Sequence, residues 1–126
     1  SIEEADRRLA ALVDEAVGPV AGDIKCRPVL AGNTVHMDIV LVRKFLPEFA
    51  RRLHYRLLDV STVKVLWNDW FPGKAFDKDK AGLIRRCLPT GMELPTAGEH
   101  DAYYDIHASL AELNYYRQQL GAAATT

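Results

Sequence analysis

The chain has 126 residues, 48% of them apolar and 26% charged, with a formal net charge of −1. That is length and apolar content for one domain with a real core, and too little for two. No apolar run approaches the roughly 20 residues of a membrane span and no signal peptide opens the sequence, so no membrane partner is expected.

Charge is unevenly spread. Residues 1–24 carry six acids and two bases, residues 25–64 eight bases and three acids. The middle third could face an anionic ligand through Arg43, Lys44, Arg51, Arg52, Arg56 and Lys64, although solvated helix faces give the same composition. Cys26 and Cys87 stand far apart, with no C-x-x-C and no histidine at ligand spacing. That pattern argues against zinc and for a reducing compartment.

Ser1-Ile2-Glu3-Glu4 has capping-box form, and Ile2, Ala5, Leu9, Leu12, Val13 and Ala16 follow at helical spacing. The sequence enters this helix with no initiator methionine, so the expectation is a piece of something longer. Gly18-Pro19 stops the helix. Residues 28–31 read as a short strand ending at Gly32-Asn33. A helix is expected over about Val35–Leu46, restarting at Pro47 as a short helix to Leu53.

Tyr55–Val60 reads as a second strand, and Ser61 as the cap of the next helix, with Val63, Leu66, Trp67 and Trp70 inward. Residues 71–98 are mostly loop, with a helical turn around Ala81–Cys87. A last helix is expected from about Glu99 to Leu120, with Ile106, Leu110, Leu113 and Tyr116 as its stripe. Gly121 ends it and 122–126 form a disordered tail, leaving one domain over 1–121. The order is α/β with a parallel strand pair. Two short strands make a poor sheet by themselves, so at least one further strand is expected from another segment or chain.

Three blocks in order carry the most information: AGNTVHMD at Ala31–Asp38, HYRLLDVST at His54–Thr62 and HDAYYD at His100–Asp105. By type alone, Asp38 fits a first-turn carboxylate facing solvent and His100 a surface histidine at a helix start. Together the blocks resemble the oligoribonuclease family of DEDDh exonucleases, from about Ile2 to Leu120. The resemblance implies a ribonuclease H-like exonuclease fold, of which this would be the C-terminal portion, a parallel strand pair with flanking helices and the N-terminal strands absent.

The implied activity is 3′→5′ degradation of short single-stranded oligoribonucleotides, by phosphodiester hydrolysis with two Mg²⁺ or Mn²⁺ ions about 4 Å apart. Both metals favour carboxylate oxygens. By resemblance Asp105 is a direct metal ligand, Asp38 helps to place the second ion, largely through water, and His100 is the general base, a role suited to an imidazole. Thr34, Arg56 and Ser61 would bind the RNA end in their own site, while His54 and Tyr55 would reach across a homodimer's twofold interface. Cytosol or mitochondrion is the implied location.

One departure is plain. The family's first block, a strand with Asp-x-Glu, supplies two of four carboxylates, and no Asp-x-Glu occurs in these residues. The loop 71–98 is long for the family, and Tyr104 stands where relatives often carry a second aspartate. The expectation is therefore a fragment inactive by itself. The alternative is an inactive exonuclease-like module that serves as a binding or assembly element in a ribonucleoprotein.

Overall fold

The computed structural model describes residues 1–19, 23–96 and 101–125. The chain divides into two compact units, Ser1–Asp59 and Val60–Thr126. Among the described residues the one sheet is a parallel pair flanked by helices, the expected mixed α/β class.

In the first unit, α1 (Ile2–Val17) starts on the predicted cap: the Glu4 N–H donates to Ser1 Oγ at 3.2 Å. It ends at Gly18, whose φ of 83° suits glycine and whose N–H bonds the Asp14 carbonyl. Strand β1 (Leu30–Gly32) leads to α2 (Val35–Phe45). Proline cannot supply the next helical N–H and disfavours helical backbone before it. Leu46 accordingly sits at φ −127°, ψ 62°, and a new helix, α3 (Pro47–Ala50), follows, shorter than the expected Leu53. Strand β2 (Leu57–Asp59) pairs with β1 in register Leu30↔Leu57, Ala31↔Leu58 and Gly32↔Asp59. Alternation sends Leu30 and Leu57 into a core with Ile39, Val42, Leu53, Leu46 and Phe49, and leaves Ala31 and Leu58 exposed.

Asp6 ties α1 to α3. Its buried carboxylate accepts the N–H groups of Glu48 (3.0 Å) and Phe49 (2.7 Å), the capping work that Leu46 has no side-chain acceptor to do. Asp6→Asn should destabilise nearly as much as Asp6→Ala, about 2 kcal/mol, because an amide offers one acceptor and turns a donor toward the other N–H. Urea midpoints check this. An Asn variant as stable as the parent would show that one acceptor suffices.

In the second unit, α4 (Val60–Trp70) and α5 (Ala81–Cys87) pack on α6 (Ala102–Thr125). Helix α4 turns Val60, Val63, Trp67 and, just past its end, Phe71 inward, a spacing of three, four and four. Leu66 and Trp70, expected inside, are exposed. The row α6 buries is Tyr104, His107, Ala108, Ala111, Glu112 and Tyr116, while Ile106 is 64% exposed. Of the expected stripe, Tyr116 is buried and Leu113 packs against the same core, whereas Ile106 is not part of it. The contact face uses alanines, whose small side chains admit neighbouring helices, and aromatic rings. Helix α6 also passes Gly121 and runs to Thr125, where a stop and a disordered tail were expected.

Glu112 is fully buried between Lys78, whose Nζ lies 3.1 Å away, and Tyr116, whose hydroxyl donates to it at 2.8 Å. Burial first, and the Glu112 carboxylate second, push the Tyr116 phenol well above its ordinary pKa of 10.0. The folded chain thus holds this proton more tightly than the unfolded chain. The resulting stability is intact below pH 10 and is lost as pH rises beyond it, at up to about 1.4 kcal/mol per unit. Tyr116→Phe should be about 1 kcal/mol less stable than the parent at pH 7. The gap should close above pH 10. Denaturant titrations at pH 7, 9 and 11 test it, and a gap that stays constant would contradict the assignment.

Candidate functional site

The turn between β1 and α2 holds the first block. Val35, Ile39 and Val42 bury one face of α2, which leaves His36 and Asp38 exposed, Asp38 in the first turn where the helix dipole favours a carboxylate. Thr34, just ahead of α2, has left-handed backbone (φ 56°, ψ 34°), alone among the non-glycine described residues. For a β-branched residue that costs on the order of 1–3 kcal/mol. Asp59, at the end of β2, accepts the Thr34 N–H at 2.9 Å and lies 3.3 Å from His36 Nδ1. Neither Asp59 nor His36 stands out in the sequence. The partners are 25 and 23 residues apart, and only the strand register, which sets Asp59 opposite Gly32, brings them together.

The second block precedes β2. The His54 N–H bonds the Pro28 carbonyl, and His54 Nδ1 accepts the Arg56 N–H at 2.9 Å, so this nitrogen carries no proton there. The exposed Tyr55 ring has the His54 ring at 4.5 Å and the Arg56 guanidinium at 5.6 Å. Thr34, Asp38, His54, Tyr55 and Arg56 all belong to the first unit.

Two of the basic residues proposed for an anion are committed elsewhere. Arg52 makes a bidentate pair with Asp14 (2.9 and 3.2 Å) and reaches Glu48, while Arg51 also pairs with Glu48. Hydrogen bonds from Arg52 and then Arg51 hold the Glu48 carboxyl below its usual range. Arg43, Lys44 and Arg56 keep exposed side chains on this unit.

The second unit holds Ser61 and Asp105. Ser61 is the second residue of α4 rather than its cap, because the helix begins at Val60. Asp105 is exposed in the first turn of α6, which Asp101 caps by accepting the N–H groups of Tyr103 (3.0 Å) and Tyr104 (3.2 Å). Tyr104 is in the core, so a side chain there helps to hold the helix. His100 and Glu99, the expected base and helix start, lie outside the described residues. His107 is buried in the same stretch, with Nδ1 2.7 Å from the Tyr103 carbonyl.

Asp38 and Asp105 are oxygen donors of the kind that Mg²⁺ and Mn²⁺ accept. Among the described residues, however, no three His, Cys, Asp or Glu side chains are grouped to hold a metal. Two carboxylates, one in each unit, do not by themselves make a two-ion site.

No protein-family model matches the chain. Individual proteins do. It is 37% identical over 91 residues to the bovine protein named "Oligoribonuclease, mitochondrial", 72% of this chain and 32% of that one. It is 33% identical over 118 residues to an oligoribonuclease of Rhodococcus jostii, covering 94% and 49%, and 31% identical over 124 residues to one of Corynebacterium glutamicum, covering 98% and 47%. The chain thus spans between about a third and a half of these relatives' length, and on these identities it belongs to the oligoribonuclease family.

Proposed function

We propose that the chain is the RNA-end-binding and partly metal-binding portion of a 3′→5′ exoribonuclease that degrades short oligoribonucleotides. The carrying observation is the family relationship, together with Thr34, Asp38, Tyr55, Arg56 and Asp105, each exposed on its own unit. In this reading Asp38 and Asp105 are ligands for two Mg²⁺ or Mn²⁺ ions, which would supply Lewis-acid activation and charge neutralisation when bound. His100 takes the proton of the attacking water. Thr34, Arg56 and Ser61 grip phosphate, for which arginine and hydroxyl donors are suited, and His54 and Tyr55 serve a homodimeric neighbour. The chain acts in cytosol or mitochondrion; among the described residues no helix is long and apolar enough to cross a membrane.

Lacking Asp-x-Glu, the chain should show no turnover of a labelled diribonucleotide with Mn²⁺. The same chain extended at its N-terminus by a strand carrying Asp-x-Glu should gain Mn²⁺-dependent turnover that Asp105→Asn removes. An extended, folded chain that binds no metal and cleaves nothing would favour the second reading, an inactive binding or assembly module in a ribonucleoprotein, which the missing Asp-x-Glu also fits.

The two arginine environments make a separate prediction. Arg56→Ala should weaken binding of a short 5′-phosphorylated RNA, labelled away from that phosphate, by about 1–3 kcal/mol, the scale of a charged phosphate contact. Arg52→Ala should leave that affinity unchanged, since its guanidinium is already paired with Asp14 and Glu48. Fluorescence anisotropy of both folded variants decides, and equal losses would mean that binding follows overall charge.

A further inference from the structure

We infer that Asp59 is a positioning residue of the RNA-end site: its carboxylate, bonded to the Thr34 N–H and set beside His36 Nδ1, holds the left-handed Thr34 turn in the form that receives phosphate. This rests on the reading of Thr34 as a phosphate-binding residue and extends it to a residue with no assigned part in that site.

A threonine at φ 56° stands in a conformation that its branched side chain disfavours, so something outside the residue must stabilise it. The 2.9 Å bond from the Thr34 N–H to Asp59 Oδ1 is such a hold, and it is charge-assisted. The other oxygen of the same carboxylate faces His36 Nδ1 at 3.3 Å, so one side chain fixes both ends of a three-residue step into α2. Asp59 can do this because parallel pairing sets it opposite Gly32, two residues before Thr34. Its carboxylate is mostly shielded while the His36 side chain is 65% exposed, which makes Asp59 the fixed member. Asp38 follows in the same first turn, so the step that orients Thr34 also sets where that helix begins.

Electrostatics and positioning predict opposite signs, and that separates them. A carboxylate near a phosphate site repels the ligand, so if only its charge mattered, removing it would tighten binding. If it holds the turn, removing the acceptor must weaken binding, and an uncharged acceptor must restore it. The experiment measures the dissociation constants of the full chain for diadenylate with and without a 5′-phosphate, as pApA and ApA. The parent is expected to prefer pApA. Asp59→Ala should lose that preference by tenfold or more, with ApA binding within about twofold of the parent. Asp59→Asn, which keeps an oxygen for the Thr34 N–H, should bind pApA at least as well as the parent. If Asp59→Ala does not fold, Asp59→Ser replaces it under the same criteria, because a serine hydroxyl is too short to reach that N–H. A folded Ala or Ser variant that keeps the preference would overturn the positioning role while leaving the RNA reading intact. A parent chain that binds neither dinucleotide, or both equally, would overturn the phosphate reading and this inference with it.

Discussion

Lys78→Met should lower the unfolding free energy by about 3–5 kcal/mol, the scale of breaking a buried ion pair by removing one partner. The asymmetry of the pair sets the size. The Lys78 side chain is 35% exposed, whereas that of Glu112 is fully buried. Removing the lysine takes a countercharge away from a carboxylate that water does not reach. Removing the acid instead, as Glu112→Gln, leaves an ammonium that can still reach solvent and an amide oxygen that can still accept the Tyr116 hydroxyl. That variant should cost markedly less. The double variant Lys78→Met with Glu112→Leu should regain much of the loss, since a packed apolar pair can match a buried ionic one. Guanidinium melts of the three variants give the comparison. A Lys78→Met chain within about 1 kcal/mol of the parent would show that the bridge contributes little. The pair joins the loop after α4 to α6, the helix that carries Asp105, so it also bears on how firmly that carboxylate is presented.

The sequence revealed elements where a local rule has no competitor. The Ser1 cap, the Gly18-Pro19 stop, the Pro47 restart and the turn at Ala81–Cys87 are each decided by a few adjacent residues, and each stands where it was expected. The two strands were legible as apolar runs between turn signals, although both are shorter than expected. Inward faces were less legible. Leu66 and Ile106 are strong apolar signals, yet Ala108 and Ala111 occupy the buried row because helix packing rewards close approach as well as hydrophobic area. The α6 terminus is hard to read from sequence for a related reason: Gly121 lowers helix propensity without ending the helix, and the alanines after it favour continuation.

The candidate site divides along the same line. Asp38 and Asp105 were recognisable by type and family resemblance, and both stand exposed in first helical turns. Arg51 and Arg52 were indistinguishable from Arg56 in composition. Only tertiary structure, which brings Asp14 from α1 to Arg52 across 38 residues, separates a committed guanidinium from an available one. Asp59 could not have been found by spacing, because its role depends on strand register and on the backbone of another residue.

Trp67→Ala is the other large expected loss, about 3–5 kcal/mol by the scale of large-to-small core changes. The indole is 4% exposed and packs against Phe71, Tyr115 and Tyr116 at ring separations of 4.5, 6.0 and 5.2 Å. Truncation would open a cavity between α4 and α6 that the flanking rings cannot fill without leaving their own contacts. Trp67→Phe separates packing from hydrogen bonding. The indole N–H donates to the Lys74 carbonyl at 2.7 Å, and the Tyr115 hydroxyl donates to the same oxygen at 2.9 Å. A phenylalanine there loses one donor but leaves the carbonyl satisfied, so its cost should stay near 1–2 kcal/mol, mostly from lost ring area. If Phe instead proved as damaging as Ala, the Lys74 hydrogen bond rather than ring packing would be what joins the loop to the helices. Parallel urea titrations of the two variants, read by far-UV circular dichroism because the fluorophore changes, distinguish these outcomes.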